Sequence, residues 1–261
     1  MEVVIVDSPE QIGVLGAQAV ADTVTAKPDA ILGLATGSSP LAIYDELGRR
    51  VAAGELTLKD CTGFNLDEYV GLPDDHPQRY RNVIEDEFVT KTDIDTANVH
   101  GPDGSAADIP AACAAYERAI TDAGGVDIQI LGIGSDGHIA FNEPGSSLAS
   151  RTRLKTLTHQ TRVDNARFFD DDVDAVPVHC ITQGVATIME ARHIVLVAAG
   201  RHKAQAVHEL VEGPISAMWP ATILQMHPNV TVIVDEPAAS RLQLAGYYRE
   251  TYAAKPAWQG F

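Results

Sequence analysis

Asp136, His138 and Glu143 crowd into residues 136–143 of the run DIQILGIGSDGHIAFNEPGSS, behind an apolar stretch and among Gly132, Gly134, Gly137 and Gly145. Glycines let backbone approach a ligand closely. Titratable groups this close perturb one another, so a histidine flanked by carboxylates is oriented and tuned for proton transfer. An isolated histidine is usually structural, and the carboxylates and glycines around His138 reverse that expectation. A metal site is the poorer reading, because one histidine stands without HxxxH, HxH or a nearby cysteine.

A second carboxylate pair, Asp67 and Glu68, closes the strand-like part of GFNLDEYVGL. Carboxylates at a strand's carboxyl end face the place where α/β proteins bind ligands, although each serves equally well as the cap of a following turn. In LGLATGSSPLAIYDEL a buried strand ends at Ala35, and Thr36, Gly37, Ser38 and Ser39 form a small-residue turn before a helix from Pro40. Open backbone N–H groups at a positive helix end suit one phosphate. An ordinary strand-to-helix turn accounts for the segment equally well, and the absence of GxxxxGKS and GxGxxG argues against an NTP or a dinucleotide. Arg167 in TRVDNARFFDD and Lys203 in VAAGRHKAQAV lie among acidic or apolar residues. They suggest an anionic ligand or, in the commoner case, solvated surface charge. Ser38 and Ser39 lack the GxSxG elbow of a nucleophile, and His76, His159, His179 and His227 read as structural.

The elements that must position these groups follow from apolar runs rich in Val and Ile. They predict strands over 3–6, 30–35, 62–66, 126–132, 193–199 and 230–234, and helices over 9–25, 40–53, 78–88, 106–122, 183–190, 202–211 and 239–252. Ser8 before Pro9 and Ser39 before Pro40 are helix-start signals. Continuous rather than alternating apolarity implies a parallel sheet covered on both faces. The expected fold is α/β, an open, doubly wound, mostly parallel sheet in a single domain spanning 1–261, with sites at the carboxyl ends of its strands. The polar stretch 146–178 reads as an irregular excursion beside the site.

Of 261 residues 45% are hydrophobic, enough for one sizeable core, while 19 Lys and Arg against 36 Asp and Glu leave a formal charge of −17. So few cations exclude a nucleic-acid face, though not one small phosphate. The acids are scattered, not gathered in a tail, which favours a surface adapted to multimolar salt, where charges are screened within about 3 Å. Cys61, Cys113 and Cys180 lie far apart without CxxC and read as buried thiols. The opening MEVVIVDSPEQIG has neither the basic flank nor the apolar length of a signal peptide or membrane anchor, so the expected location is the cytoplasm.

The segments TGSSP, FNLDEYVGL, HPQRYR, GIGSDGHIAFNEPGSSLASRTRLKTLT, TRVDNARFF, GRHKA and EGPISAMWP carry, in order, a resemblance to the glucosamine-6-phosphate isomerase/deaminase family as far as about Tyr252. FNLDEY combined with GHIAFNEP is similar to the deaminases rather than to the related sugar-phosphate lactonases, which share the GxDGH loop. The resemblance implies conversion of D-glucosamine 6-phosphate and water into fructose 6-phosphate and ammonia, without metal or organic cofactor. It implies Asp67 as the base moving a proton between C2 and C1, and His138 as the ring-opening group, held and tuned by Asp136 and Glu143. Substrate phosphate would lie on Thr36, Gly37, Ser38 and Ser39, with Arg167 and Lys203 supplying charge.

Some members are homohexamers activated by N-acetylglucosamine 6-phosphate at a subunit interface. The matching positions are Ser146, Arg153, Lys155 and Thr156, with Tyr247 the counterpart of an effector tyrosine in a carboxyl-terminal segment shorter than theirs. A homo-oligomer is thus implied by resemblance. Two competing activities are a phosphogluconolactonase-like hydrolase, disfavoured because lactone hydrolysis has no need of an enolising Asp67, and a non-catalytic sugar-phosphate sensor. The sensor is disfavoured because the chain opens directly into a strand, without a DNA-reading module.

Overall fold

The structure, a computed structural model, describes residues 1–260. Its strands are β1 Glu2–Val6, β2 Ile31–Leu34, β3 Thr62–Asn65, β4 Asp67–Tyr69, β5 Val99–His100, β6 Ile128–Leu131, β7 Arg153–Thr156, β8 His179–Thr182, β9 His193–Ala198 and β10 Val230–Asp235. Seven of them form one parallel sheet in the order β1-β10-β9-β6-β2-β3-β5. From β2 the chain steps outward through β3 and β5, then returns to the other side of β2 at β6 and steps outward through β9 and β10. The winding therefore reverses between β2 and β6, and a crevice opens there beyond the strands' carboxyl ends.

Every residue of β2, β6, β9 and β10 is buried, as continuous apolar runs require of strands covered on both faces. The helices are α1 Pro9–Ala26, α2 Leu41–Ala52, α3 Tyr80–Ile84, α4 Ile109–Asp122, α5 His159–Asn165, α6 Val185–Ile188, α7 Ala204–Glu212, α8 Glu236–Ala239 and α9 Ala245–Ala253. Ser8, Asp108, Thr158 and Asp235 each cap the helix that follows by accepting a backbone N–H. α1 meets α2 at Gly13, where a Cβ would sit 2.5 Å from the Ala42 carbonyl, so only glycine permits that approach. Tyr44 of α2 is buried, and its hydroxyl donates to the Ala35 carbonyl and accepts from the Ala35 N–H, fixing the end of β2.

A second, antiparallel sheet in the order β4-β8-β7 continues from β3 through Leu66. Its existence corrects the expectation that 146–178 is irregular, since that stretch contains β7, α5 and a 3₁₀ turn at Ala166–Phe168. β7 alternates half-buried with exposed residues, the signature of a sheet wet on one face, and is too short to stand out from a polar background. Three predicted helices also differ. The 78–88 helix begins at Tyr80 and widens into a π turn at Glu85–Val89, and the 183–190 helix shrinks to α6. The 239–252 helix is two, because Asp235 caps α8 early and the Glu212 carboxylate accepts the Gln243 and Leu244 N–H groups just before α9. The three cysteines are buried and free. No helix among the described residues is long and apolar enough to cross a membrane.

Candidate active site

The loop after β6 turns sharply: Gly134 N–H donates to the His138 carbonyl and Gly137 N–H to the Gly134 carbonyl. Gly134 lies flat against the imidazole, where a Cβ would come within 2.2 Å of His138 Nδ1. Gly137 has φ +80°, and the 215–221 segment straps the loop from outside through Ala221 N–H to Gly137 O and Gly145 N–H to Ala217 O. Asp136 Oδ1 lies 2.7 Å from His138 Nδ1, close but too bent to be an aligned hydrogen bond, and also accepts the His138 backbone N–H. Partial burial works against the Asp136 charge, yet His138 and the backbone donors win and hold its carboxyl below the usual aspartate range.

Glu143 is buried, and the structure gives it other partners than the imidazole. Its Oε1 accepts from the Thr158 N–H at 3.4 Å, the Thr158 hydroxyl at 3.2 Å and the Thr161 hydroxyl. Among the described residues no hydrogen bond or ion pair joins Glu143 to His138, and Glu143 ties the end of the loop to the start of α5.

Asp67 stands at the junction of the two sheets, opposite Thr182 of β8, and is 5% exposed. Among the described residues it caps no turn and no protein hydrogen bond offsets its burial. Desolvation first, and the neighbouring Glu68 second, push its carboxyl well above the ordinary range. Tyr69, Tyr80, Tyr116 and Cys180 lie near enough for the Asp67 charge to help push their own proton affinities up. Tyr80 stacks on Phe141 of the β6 loop at 5.9 Å and an interplanar angle of 8°, and its hydroxyl reaches Thr36.

The turn 36–39 follows β2, across the crevice from the β6 loop: a Cβ on Gly132 would lie 3.4 Å from Ser39 Cβ. Gly37 has φ +89°, and α2 begins at Leu41 with no side-chain cap, so Ser39 does not close the helix start as its spacing suggests. The open N–H groups of that first turn suit an anion. Lys203, half-buried in the 3₁₀ turn after β9, has its ammonium pushed down by burial and then by Arg167, against the opposing pull of Asp136 and Asp164. Arg167 is exposed and lies over the Phe168 ring at 4.7 Å. Lys203 and Arg167 lie near enough to repel each other, a repulsion that an anion between them would relieve.

The remaining sequence-derived positions divide. Arg153 and Lys155 lie on β7 with Thr156, and Arg153 donates to Asn142 Oδ1, beside Glu143, at 2.9 Å. The Ser146 hydroxyl is buried without a partner. Tyr247, 60% exposed, sits on α9, which packs on β1 at the far edge of the main sheet from β3 and the small sheet. Within one chain it is therefore not brought to the other four. A groove of about 670 Å³ between α4 and β7 has mostly apolar walls and is lined by neither His138 nor Asp67. Sequence reasoning missed Tyr80, Thr158 and Thr161. The only local signal was the start of α5, where Thr158 precedes a helical run.

Residues 10–233 match the model of a family described as glucosamine-6-phosphate isomerases/6-phosphogluconolactonase. The chain is 69% identical over 260 residues, all of both chains, to a glucosamine-6-phosphate deaminase of Mycolicibacterium smegmatis, and 66% identical over the same length to that of Beutenbergia cavernae. Among solved structures it superposes on a monomeric glucosamine-6-phosphate deaminase with TM-score 0.90 and 43% identity, covering 92% of this chain and 100% of that one. A 6-phosphogluconolactonase of Trypanosoma brucei, at TM-score 0.76 and 20% identity over 92% of this chain and 98% of its own, shares the fold.

Proposed function

The chain belongs to the glucosamine-6-phosphate isomerase/6-phosphogluconolactonase family, and from that premise we propose an enzyme that deaminates D-glucosamine 6-phosphate, giving D-fructose 6-phosphate and ammonia. The observation that carries the reading is Asp67: a buried carboxylate with a raised affinity for protons, beside a crevice that suits a phosphate. Lactone hydrolysis has no use for a base in that place.

The substrate phosphate binds the open N–H groups and hydroxyls of residues 36–39, with Lys203 and Arg167 balancing its charge. His138 opens the pyranose, taking the proton from the C1 hydroxyl and returning one to the ring oxygen, while Asp136 holds its charge. Asp67 then takes the C2 proton of the open chain and delivers it to C1, while a proton passes from the amine nitrogen to the former aldehyde oxygen, leaving a hydroxymethyl group at C1 and an imine at C2. Water adds to C2, ammonia departs and the ketose remains. Burial serves this step, because a carboxylate of raised pKa is the stronger base and its walls keep bulk water from competing. No step calls for a metal or organic cofactor.

Arg153, Lys155, Thr156 and Ser146 support a second sugar-phosphate site for N-acetylglucosamine 6-phosphate. Arg153 touches Asn142 of the catalytic loop, and the Ser146 hydroxyl awaits a partner. Rate curves that keep one shape with and without the acetylated sugar phosphate remove that site. Assembly into a homohexamer belongs to the same reading. The relative at 43% identity is monomeric, so sedimentation of the purified chain decides it. Three free cysteines support a cytoplasmic location, and the net charge of −17 supports activity favoured by multimolar KCl.

The test of the activity is product analysis at low and multimolar KCl. Stoichiometric ammonia and fructose 6-phosphate establish the deaminase, and a rise with salt supports adaptation to it. Folded protein that releases no ammonia at either salt, and instead hydrolyses a sugar-phosphate lactone, overturns the assignment.

A further inference from the structure

Glu68 is 1% exposed, yet every bond it makes is to backbone or cation. Its Oε1 accepts the Tyr69 N–H at 2.8 Å and the Tyr80 N–H at 2.9 Å, and its Oε2 accepts the Arg81 N–H at 2.9 Å and lies 3.9 Å from Arg79 Nε. Burial pushes the Glu68 carboxyl above the ordinary glutamate range, while three N–H donors aimed at both oxygens pull the other way and call for acceptors only, which an ionised carboxylate supplies. The side chain thus closes the chain from β4 onto the start of α3. That closure seats Tyr80 between Tyr69 of β4 at 4.8 Å, Phe141 of the catalytic loop at 5.9 Å and Thr36 of the phosphate turn. Gly104 leaves room for it, since a Cβ there would come within 3.3 Å of Glu68 Cγ.

We propose that Glu68 is a positioning residue for the Asp67 base: it locks Tyr80 across the site and fixes a negative charge beside the Asp67 carboxylate. The inference rests on the assignment of Asp67 as the proton-transfer base. Titratable and charged groups face this pair from each packed element: Tyr69 on β4, Arg79, Tyr80 and Arg81 at α3, Tyr116 on α4 and Cys180 on β8. Of these, Arg79 opposes Glu68, the Arg81 guanidinium is paired with Glu85, and the rest are neutral near pH 7. The Glu68 charge therefore disfavours the Asp67 anion, in the direction that desolvation already pushes it.

Glu68→Gln keeps the size but offers an amide N–H₂ to backbone donors and removes the charge. The expected result is a kcat lower by roughly tenfold to a hundredfold, a KM that moves much less, and an acid limb of kcat/KM displaced to lower pH. Arg79→Met removes the opposing cation at the half-exposed rim and is expected to displace the limb the other way, to higher pH. A merely structural Glu68 lowers the melting temperature and the active fraction but leaves the limb in place. A folded Glu68→Gln enzyme with the parent's acid limb overturns the proposal, whatever its kcat. If that variant does not fold, an unmoved limb in Arg79→Met overturns it. Asp67→Asn, assayed alongside, keeps the two failures apart: retained deamination there defeats the assignment of Asp67 and this role of Glu68 with it, whereas an inactive Asp67→Asn beside an unmoved limb in Glu68→Gln defeats the role of Glu68 alone.

Discussion

Asp67 and Asp136 follow two strands of the same parallel sheet, β3 and β6, and their surroundings drive them apart. Among the described residues Asp67 is 5% exposed, without a side-chain hydrogen bond and next to another carboxylate, so its proton is held tightly. Asp136, with its side chain 44% exposed and 2.7 Å from His138, keeps its charge. Two residues of one chemical type thereby have opposite proton affinities, which is what the two tasks we propose for them require: one to carry a proton, one to stay ionised beside an imidazole. The difference lies in where each strand ends. β4 delivers Asp67 into the seam between two sheets, while the glycine turn after β6 holds Asp136 at the solvent's edge.

The sharpest way to break the comparison is Asp67→Asn. It is expected to lower kcat for ammonia release by roughly 10²- to 10⁴-fold, the range for loss of a general base. The same variant should gain stability. A carboxyl whose folded pKa is raised costs the fold stability as pH climbs above its unfolded value, so the neutral amide raises Tm at pH 7 and above, by roughly 2–4 °C per kcal/mol relieved in a domain of this size. A loss of activity accompanied by a lower Tm would contradict the burial argument. Next in size is Lys203→Met, which removes a charge-assisted contact of roughly 1.5–3 kcal/mol and is expected to raise KM about ten- to a hundredfold with kcat altered less. Steady-state kinetics reads both constants. The smallest effect belongs to Asp136→Asn, because its contact with His138 is bent and partly solvated. A fall in kcat of about tenfold is expected, with KM for the sugar phosphate unchanged.

The same contrast governs what could be read from residues alone. The β6 loop and the 36–39 turn are local: glycines, a strand end and a helix start lie within a few residues, so spacing suffices to mark a candidate anion turn and a histidine held in a glycine loop. The partners of Glu143 are not local. Thr158 and Thr161 lie 15 and 18 residues away, across a strand hidden in the polar alternation of Arg153–Thr156. Asp67 and Glu68 read equally as caps or as site groups because a sequence does not say which way a carboxylate faces. Only the pairing of β4 with β8 turns Asp67 inward. Buried strands such as Val230–Asp235 declare themselves by composition, whereas β5, two residues long, and β4, three, have too little length for any period to emerge. The break before α9 depends on Glu212, far off in sequence, which accepts the Gln243 and Leu244 N–H groups.

The most direct test of the account is a carboxyl ¹³C NMR titration of the protein labelled at aspartate, compared with Asp67→Asn and Asp136→Asn to identify the two resonances. The account predicts that the resonance lost in Asp67→Asn titrates well above the ordinary aspartate range, while the one lost in Asp136→Asn titrates below it. If both titrate together in the ordinary range, the division of labour between the two carboxylates is wrong.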